Sequence, residues 1–258
     1  MITQGQKAHF ETFGFLILRQ RYTPEEAERM RETVIEVIEA EEGKDALSGE
    51  TYHLMPLMER NAYLTSLIDD ERMHEIPETL LGPDFFLNCT DAHFRCRNTD
   101  WHGVDLQEKF PVASVRVAIY FQSLSKGNGC LRVIPGSHHD CFAEFLQTLP
   151  QNKSGQTPFG ISPEHIPCVA LETEPGDAVV FTESVFHASF GSKAGRLQMT
   201  AQFAANPITD DQVRELRRLQ EKFNWSLHPC ESFIHSDRPR VRRMVSRLVK
   251  LDFSSLPV

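Results

Sequence analysis

The chain has 258 residues, 40% of them hydrophobic and 24% charged, the proportions of an ordinary globular protein able to bury one sizeable core. Its net charge of -9 leaves no basic surplus for phosphates, so nucleic acid is not an expected partner. Six cysteines without C-x-x-C spacing read as reduced thiols of a cytoplasmic protein, and no apolar run is long enough to span a bilayer or make a secretory leader.

In chain order, residues 9–14 predict a short helix stopped by Gly14, followed by a buried strand at Phe15-Leu-Ile-Leu-Arg19. Thr23-Pro24-Glu25-Glu26 is a helix start in which Thr23 caps, Pro24 suits the first turn and Glu26 reaches back. That helix carries Ala27, Met30, Val34, Val37 and Ile38 on one face and ends near Gly43. Residues 44–75 read as polar and irregular, with one helix around Met58 to Ile68, and as a place for a substrate lid.

From Leu80 the pattern turns to short β-like runs. They are Phe85–Cys89, Ala92–Cys96, Ala113–Ser123, Cys130–Ile134, Cys168–Leu171, Ala178–Thr182 and Gln198–Ala204. Turns at Lys126-Gly-Asn-Gly129, Pro135-Gly-Ser137 and Pro175-Gly-Asp177 separate them. Strands without regular intervening helices imply an antiparallel barrel or sandwich. Residues 140–165 form an insert with a helix at Phe142 to Leu149. Helices follow at Asp210 to Phe223 and Arg238 to Leu251. In the latter, Val241, Val245 and Leu248 are expected to dock while the arginines stay solvated. The expected organisation is a single domain over 1–258: an N-terminal helix and strand support (1–80), a core (81–206) bearing the 140–165 insert, and C-terminal helices (207–258).

Most of the eleven histidines sit in polar or helical contexts that need no function. His93 lies in a β-like run and can face either cavity or core, and His138 and His139 follow the Pro-Gly-Ser turn. His102 and His187 stand apart. His102 follows Trp101 and precedes Asp105; His187 comes six residues after the run Ala178-Val-Val-Phe181, and Arg196 lies nine further on. Two imidazoles and a carboxylate on one face of an ion are the ligand set of non-haem Fe(II) oxygenases, and an arginine behind them can clamp a dicarboxylate. The spacing alone equally fits two core histidines with hydrogen-bonded partners.

Three blocks carry a resemblance: Phe13-Gly-Phe-Leu-Ile-Leu18, Asn128-Gly-Cys-Leu-Arg-Val-Ile-Pro-Gly-Ser-His138, and Pro175-Gly-Asp-Ala-Val-Val-Phe181 with His187 and Arg196 after it. In this order, over roughly residues 8–206, the chain resembles the phytanoyl-CoA dioxygenase family; the second block is the specific one. The resemblance implies a mostly β protein with flanking helices around a double-stranded β-helix (jelly-roll, cupin-like) core. It further implies Fe(II), 2-oxoglutarate and O2, with His102 matching the proximal histidine, His187 the distal one and Arg196 the arginine that grips the cosubstrate's far carboxylate.

One position departs from the family pattern His-x-Asp. Val104 stands where the acid belongs, and Asp105 follows it. On a regular strand a spacing of three turns the carboxylate away, and a bulge restores it. Asp105 is therefore taken as the third ligand, with Asp100 as a rival. A site without a carboxylate would instead suit a halogenase, and a barrel that binds a small molecule or metal without turnover is a further alternative. The expected substrate is a small molecule. Inward-facing Arg95, Arg97 or Arg116 would favour an anionic one, whereas Trp101, Tyr120, Phe121 and Phe186 would favour an apolar one.

Overall fold

The computed structural model describes residues 1–49, 51–103, 110–148, 158–192, 195–222 and 227–255. Among these residues, ten strands form two antiparallel sheets. The first runs β1 (Phe15–Leu18), β8 (Ala178–Phe181), β5 (Ser114–Tyr120), β10 (Arg196–Ala205), β3 (Phe85–Arg95), β2 (Thr51–Leu54). The second runs β4 (Thr99–His102), β9 (His187–Ser189), β6 (Leu131–Val133), β7 (Val169–Leu171). This is the expected jelly-roll core. Helices hold more of the chain than strands do, 41% against 24%.

Most of these helices cover the outer face of the larger sheet, while the one in the 140–165 insert packs on the smaller sheet through Phe142 and Leu146. They are α1 (Gln4–Phe13), α2 (Pro24–Glu42), α3 (Ala62–Asp69), α4 (Glu71–Leu81), α5 (Asp140–Thr148), α6 (Asp210–Lys222), α7 (Glu231–Ile234) and α8 (Pro239–Lys250). Alternation along the central strands decides what faces them. Leu197, Met199, Ala201 and Phe203 of β10 point out into a core shared with Met30, Val34, Ile38 and Met244 of the helices. Arg196, Gln198, Thr200 and Gln202 point the other way, into the space between the sheets. The inner face is thus apolar at one end (Phe15, Val179 and Phe181 against Leu131 and Val133) and polar at the other.

The local signals largely hold. Thr23 and Glu26 form the reciprocal capping box, and Gly14 ends α1 in the left-handed conformation at φ 84°. A second box, Thr3 with Gln6, starts α1 five residues earlier than expected. In α8 the expected docking face is buried, and its arginines are occupied: Arg238 pairs with Asp69 and Arg240 with Glu71, each at 2.9 Å. All six cysteines are free thiols. Among the described residues no helix is long and apolar enough to cross a membrane.

Three elements differ from expectation. Residues 44–75, read as irregular outside one helix, contain β2, a strand paired with β3 at the edge of the larger sheet. Helix α4 runs through Pro77, which is tolerated because the helix is held by the buried side chains of Met73 and Ile76. Strand β3 is continuous from Phe85 to Arg95 instead of breaking at Thr90-Asp91. Cross-strand partners make that possible: Asn88 donates to Gln202 Oε1 at 2.8 Å, and Asp91 Oδ1 accepts from Thr200 at 2.8 Å.

The turn motifs prove to be structural joints. Gly176 has φ 96°, and a Cβ there would lie 2.2 Å from the Tyr22 carbonyl oxygen, so only glycine permits the approach. The neighbouring Asp177 accepts from the Gln20 backbone N–H at 2.8 Å and from Arg19 at 2.6 Å. Pro-Gly-Asp therefore ties the N-terminal segment to the core.

Glu59, in the segment before α3, is half-buried and accepts from the Thr90 hydroxyl. Burial pushes its carboxyl up to about 7. A carboxyl raised above its unfolded value is stabilising below that value, and the contribution is lost as pH rises through about 7. The expected result is a wild-type melting temperature that falls between pH 5 and pH 8 more steeply than that of Glu59→Gln. The difference should be on the order of 2 kcal/mol across the window, read by thermal denaturation at fixed ionic strength. Parallel profiles for the two proteins would refute it.

Candidate metal and cosubstrate site

His102 ends β4 and His187 begins β9, and the two are direct cross-strand partners in the smaller sheet. Directly opposed residues project to the same side, so their rings meet with centroids 4.1 Å apart. The neighbours of each histidine point away. Trp101 is buried on the outer side, stacked on Phe186 at 5.8 Å and donating its indole N–H to the Pro163 carbonyl at 2.7 Å. Ala188 is buried beside them.

The turn before His187 is fixed by the Ile134-Pro-Gly-Ser137 segment. Ile134 N–H donates to the Phe186 carbonyl at 2.9 Å, and the Ser137 hydroxyl accepts from Phe186 N–H at 2.7 Å. His138 and His139 do not face the cavity; their Nε2 atoms lie 3.2 and 3.1 Å from the carbonyls of Glu11 and Thr12.

Both rings are oriented in the same way. His102 Nδ1 lies 2.8 Å from the Asp100 carbonyl and His187 Nδ1 2.7 Å from the Val185 carbonyl. A carbonyl only accepts, so each Nδ1 carries the proton and each Nε2 keeps its lone pair. This is the second-shell arrangement that prepares an imidazole for a metal. Burial lowers both imidazoles, His187 well below the ordinary value with further help from His102, and the neutral form is the ligating one. His102 remains open to solvent, yet protein packed around its ring still drives its shift downward. Asp100 is exposed and contributes its backbone carbonyl. Asp105 lies outside the described residues.

Arg196, the first residue of β10, is 5% exposed. Its Nη1 donates to the Gly129 carbonyl and the Ser189 hydroxyl, which aims the guanidinium at the smaller sheet, and it lies over the Tyr120 ring at 5.7 Å. Gly129 has φ 104°, so the Asn-Gly-Cys-Leu block presents to Arg196 a carbonyl from a turn that glycine allows. Among the described residues no carboxylate pairs with Arg196, and its buried Nε has no partner. A buried cation without an anion calls for one from outside.

One cavity of about 100 Å³ joins these groups, lined by His102, His187, Arg196, Tyr120, Gln198 and also His93. Arg95 and Arg116 reach it as well, whereas Arg97 is exposed. The inner wall beside it holds a network that the sequence did not announce. Asp91, 1% exposed, accepts from Thr200 and from His93 Nε2 at 3.2 Å and lies 3.8 Å from Arg116. Arg116 also pairs with Glu183 at 2.6 Å. Burial alone would raise the Asp91 carboxyl, but the bond from His93 and the charge of Arg116 override it and hold it at about 2.

His53, Asp91 and His93 form a group of two imidazoles and a carboxylate compact enough to hold an ion. In this group His93 Nε2 is engaged with Asp91 Oδ1, while Asp91 Oδ2 has no hydrogen-bond partner. His93 Nδ1 faces Arg95 Nη2 at 3.4 Å, so His93 Nε2 bears the proton it gives Asp91, and Arg116 supplies the positive charge a metal would bring. His102 and His187, by contrast, have free donor atoms. The residues fit a metal at that pair and a dicarboxylate at Arg196.

Two facing antiparallel sheets thus carry a histidine pair on the smaller and a buried arginine on the larger. The family model of phytanoyl-CoA dioxygenase matches residues 10–197, and the chain belongs to that family. No curated protein matches the chain. Among solved structures it is similar to HygX from Streptomyces hygroscopicus with nickel and 2-oxoglutarate bound (TM-score 0.64, 17% identity, 81% of this chain and 89% of that one). It is also similar to EctD from S. alaskensis with bound Fe (0.61, 19%, 79% and 77%) and to the carbocyclase SnoK from nogalamycin biosynthesis (0.62, 18%, 79% and 84%).

Proposed function

We propose that this protein is an Fe(II)/2-oxoglutarate-dependent dioxygenase that hydroxylates a C–H bond of a small molecule. The observation that carries the reading is the cross-strand pair His102 and His187, both with Nδ1 bonded to a carbonyl and Nε2 free, beside a buried Arg196 without a counter-ion. In this reading His102, His187 and Asp105 hold the metal, and Arg196 holds the distal carboxylate of 2-oxoglutarate. The metal, when bound, supplies oxygen activation coupled to decarboxylation of 2-oxoglutarate to succinate.

The chain's own residues bind, orient and exclude water. The carbonyls of Asp100 and Val185 fix the tautomers. The Gly129 carbonyl and Ser189 hydroxyl fix the guanidinium, which is therefore pre-organised for a carboxylate and loses little freedom on binding. Tyr120 and Phe181 wall the cavity against solvent.

The test is spectroscopic. Anaerobic Fe(II) added to the protein with 2-oxoglutarate should give the weak visible charge-transfer band of the chelate. Air should then discharge it with formation of succinate. Neither band nor succinate, at saturating metal and cosubstrate, would reject the reading.

A further inference from the structure

Arg95 closes β3 and Arg196 opens β10, and the two are direct cross-strand partners. Both line the cavity. Like charges placed opposite each other on one face of a sheet destabilise it. Charge compensation is missing on both sides. Among the described residues no carboxylate lies within ion-pair distance of either guanidinium. The two acids on this wall, Asp91 and Glu183, are engaged by Arg116, His93 and Thr200.

The two guanidiniums also diverge. Arg196 leans to the smaller sheet through Gly129 and Ser189, while Arg95 leans along β3 to His93 Nδ1. The same cavity is lined by Thr99, on the strand that follows Arg95 and opposite Ser189, and its buried hydroxyl has no partner. A cosubstrate with one distal carboxylate compensates one arginine, and one positive charge is left over.

We propose that Arg95, with the Thr99 hydroxyl, anchors a carboxylate carried by the molecule that is oxidised, so that the substrate is a small monoanionic acid. This rests on the functional reading above, in which Arg196 takes the carboxylate of 2-oxoglutarate. The shared chemistry is a carboxylate, and its two sources, substrate and cosubstrate, are separable by which arginine each needs. Burial together with the charges of Arg196 and Arg97 lowers the Arg95 guanidinium, as expected for a cation waiting for an anion.

The test uses acetate as the probe on the full chain loaded with Mn(II) and 2-oxoglutarate, at constant ionic strength with chloride as the replaced anion. Acetate should bind the wild type, read by calorimetry and by a rise in melting temperature. Arg95→Gln should weaken acetate at least tenfold, while its 2-oxoglutarate affinity changes less than threefold; Arg196→Gln should show the reverse. Ligand-free Arg95→Gln should also melt higher than the wild type, because a repulsive pair is relieved; a merely structural arginine would give a lower value. Arg95→Lys should recover part of the acetate affinity.

Loss of 2-oxoglutarate affinity in Arg95→Gln to the extent seen in Arg196→Gln overturns the proposal, as does acetate binding that ignores Arg95 or is absent from the wild type. Acetate binding through Arg95 in a protein that forms no succinate would leave this anchor standing and reject the oxygenase reading instead.

Discussion

Replacing His187 by alanine should reduce Fe(II)-dependent conversion of 2-oxoglutarate to succinate by at least about 100-fold, because loss of a supporting partner alone commonly costs 10- to 100-fold in metal affinity or activity. His187 is the partner across the strand pair from His102, and its Nε2 is one of the two free imidazole donors of that pair. Removing it leaves His102 without its cross-strand imidazole. The fold should persist, since the turn before position 187 is held by Ile134, Ser137 and Phe186 through backbone groups and a serine hydroxyl rather than by the imidazole. Iron content after desalting, succinate formation and circular dichroism read the three consequences separately. His235→Ala, at an exposed histidine paired with Glu231 in α7, provides the control and should retain wild-type turnover. Equal iron content and turnover in His187→Ala and the wild type would remove the metal from this pair.

Why such a pair was only half legible in the sequence is a matter of strand length. Strands β4 and β9 have four and three residues, too short for alternation to register, and β9 is flanked by residues that read as loop. Neither predicts that two histidines separated by most of the core will be opposite each other. The resemblance supplied the pairing, and the cross-strand register gives it a physical basis. The Thr23–Glu26 box and Gly14 were legible because capping chemistry is local. Helix α4 was not, because its first half falls in the stretch 44–75 that reads as polar and irregular.

The polar wall was hidden for a related reason. Asn88 and Asp91 are disfavoured on strands in sequence terms, and β3 reads as parted at Thr90-Asp91. Once divided, the parity of Arg95 relative to Phe85 was lost, and whether Arg95 and Arg116 faced inward could not follow from alternation. The missing information was that Thr200 and Gln202 stand opposite on β10 to satisfy those side chains. Buried polar groups persist on a strand only when partners far along the chain accept them. The Pro-Gly-Asp and Asn-Gly-Cys-Leu blocks, which looked like motif residues of a site, hold the N-terminal segment and the Arg196 guanidinium in place.

Arg196→Gln should raise the KM for 2-oxoglutarate by about 10- to 150-fold, the equivalent of about 1.5 to 3 kcal/mol for a charge-assisted hydrogen-bonded pair. The effect on kcat at saturation should be several-fold smaller, since the distal carboxylate is gripped equally before and during the reaction, and such uniform binding is expressed in KM. Lysine at this position should restore only part of the loss. It keeps the charge but cannot hold the Gly129 carbonyl and Ser189 hydroxyl while presenting a planar pair of donors to a carboxylate. The ligand-free protein gives a second, opposite-signed reading. A buried cation with no carboxylate and an unsatisfied Nε is a cost to the empty fold, so Arg196→Gln should melt no lower than the wild type without ligand and clearly lower with 2-oxoglutarate bound. An arginine that served only to bridge β10 to the Gly129 turn would lower the melting temperature in both states and leave the KM where it was. Steady-state succinate assays across a range of 2-oxoglutarate concentrations, set beside melting curves with and without it, separate the two roles.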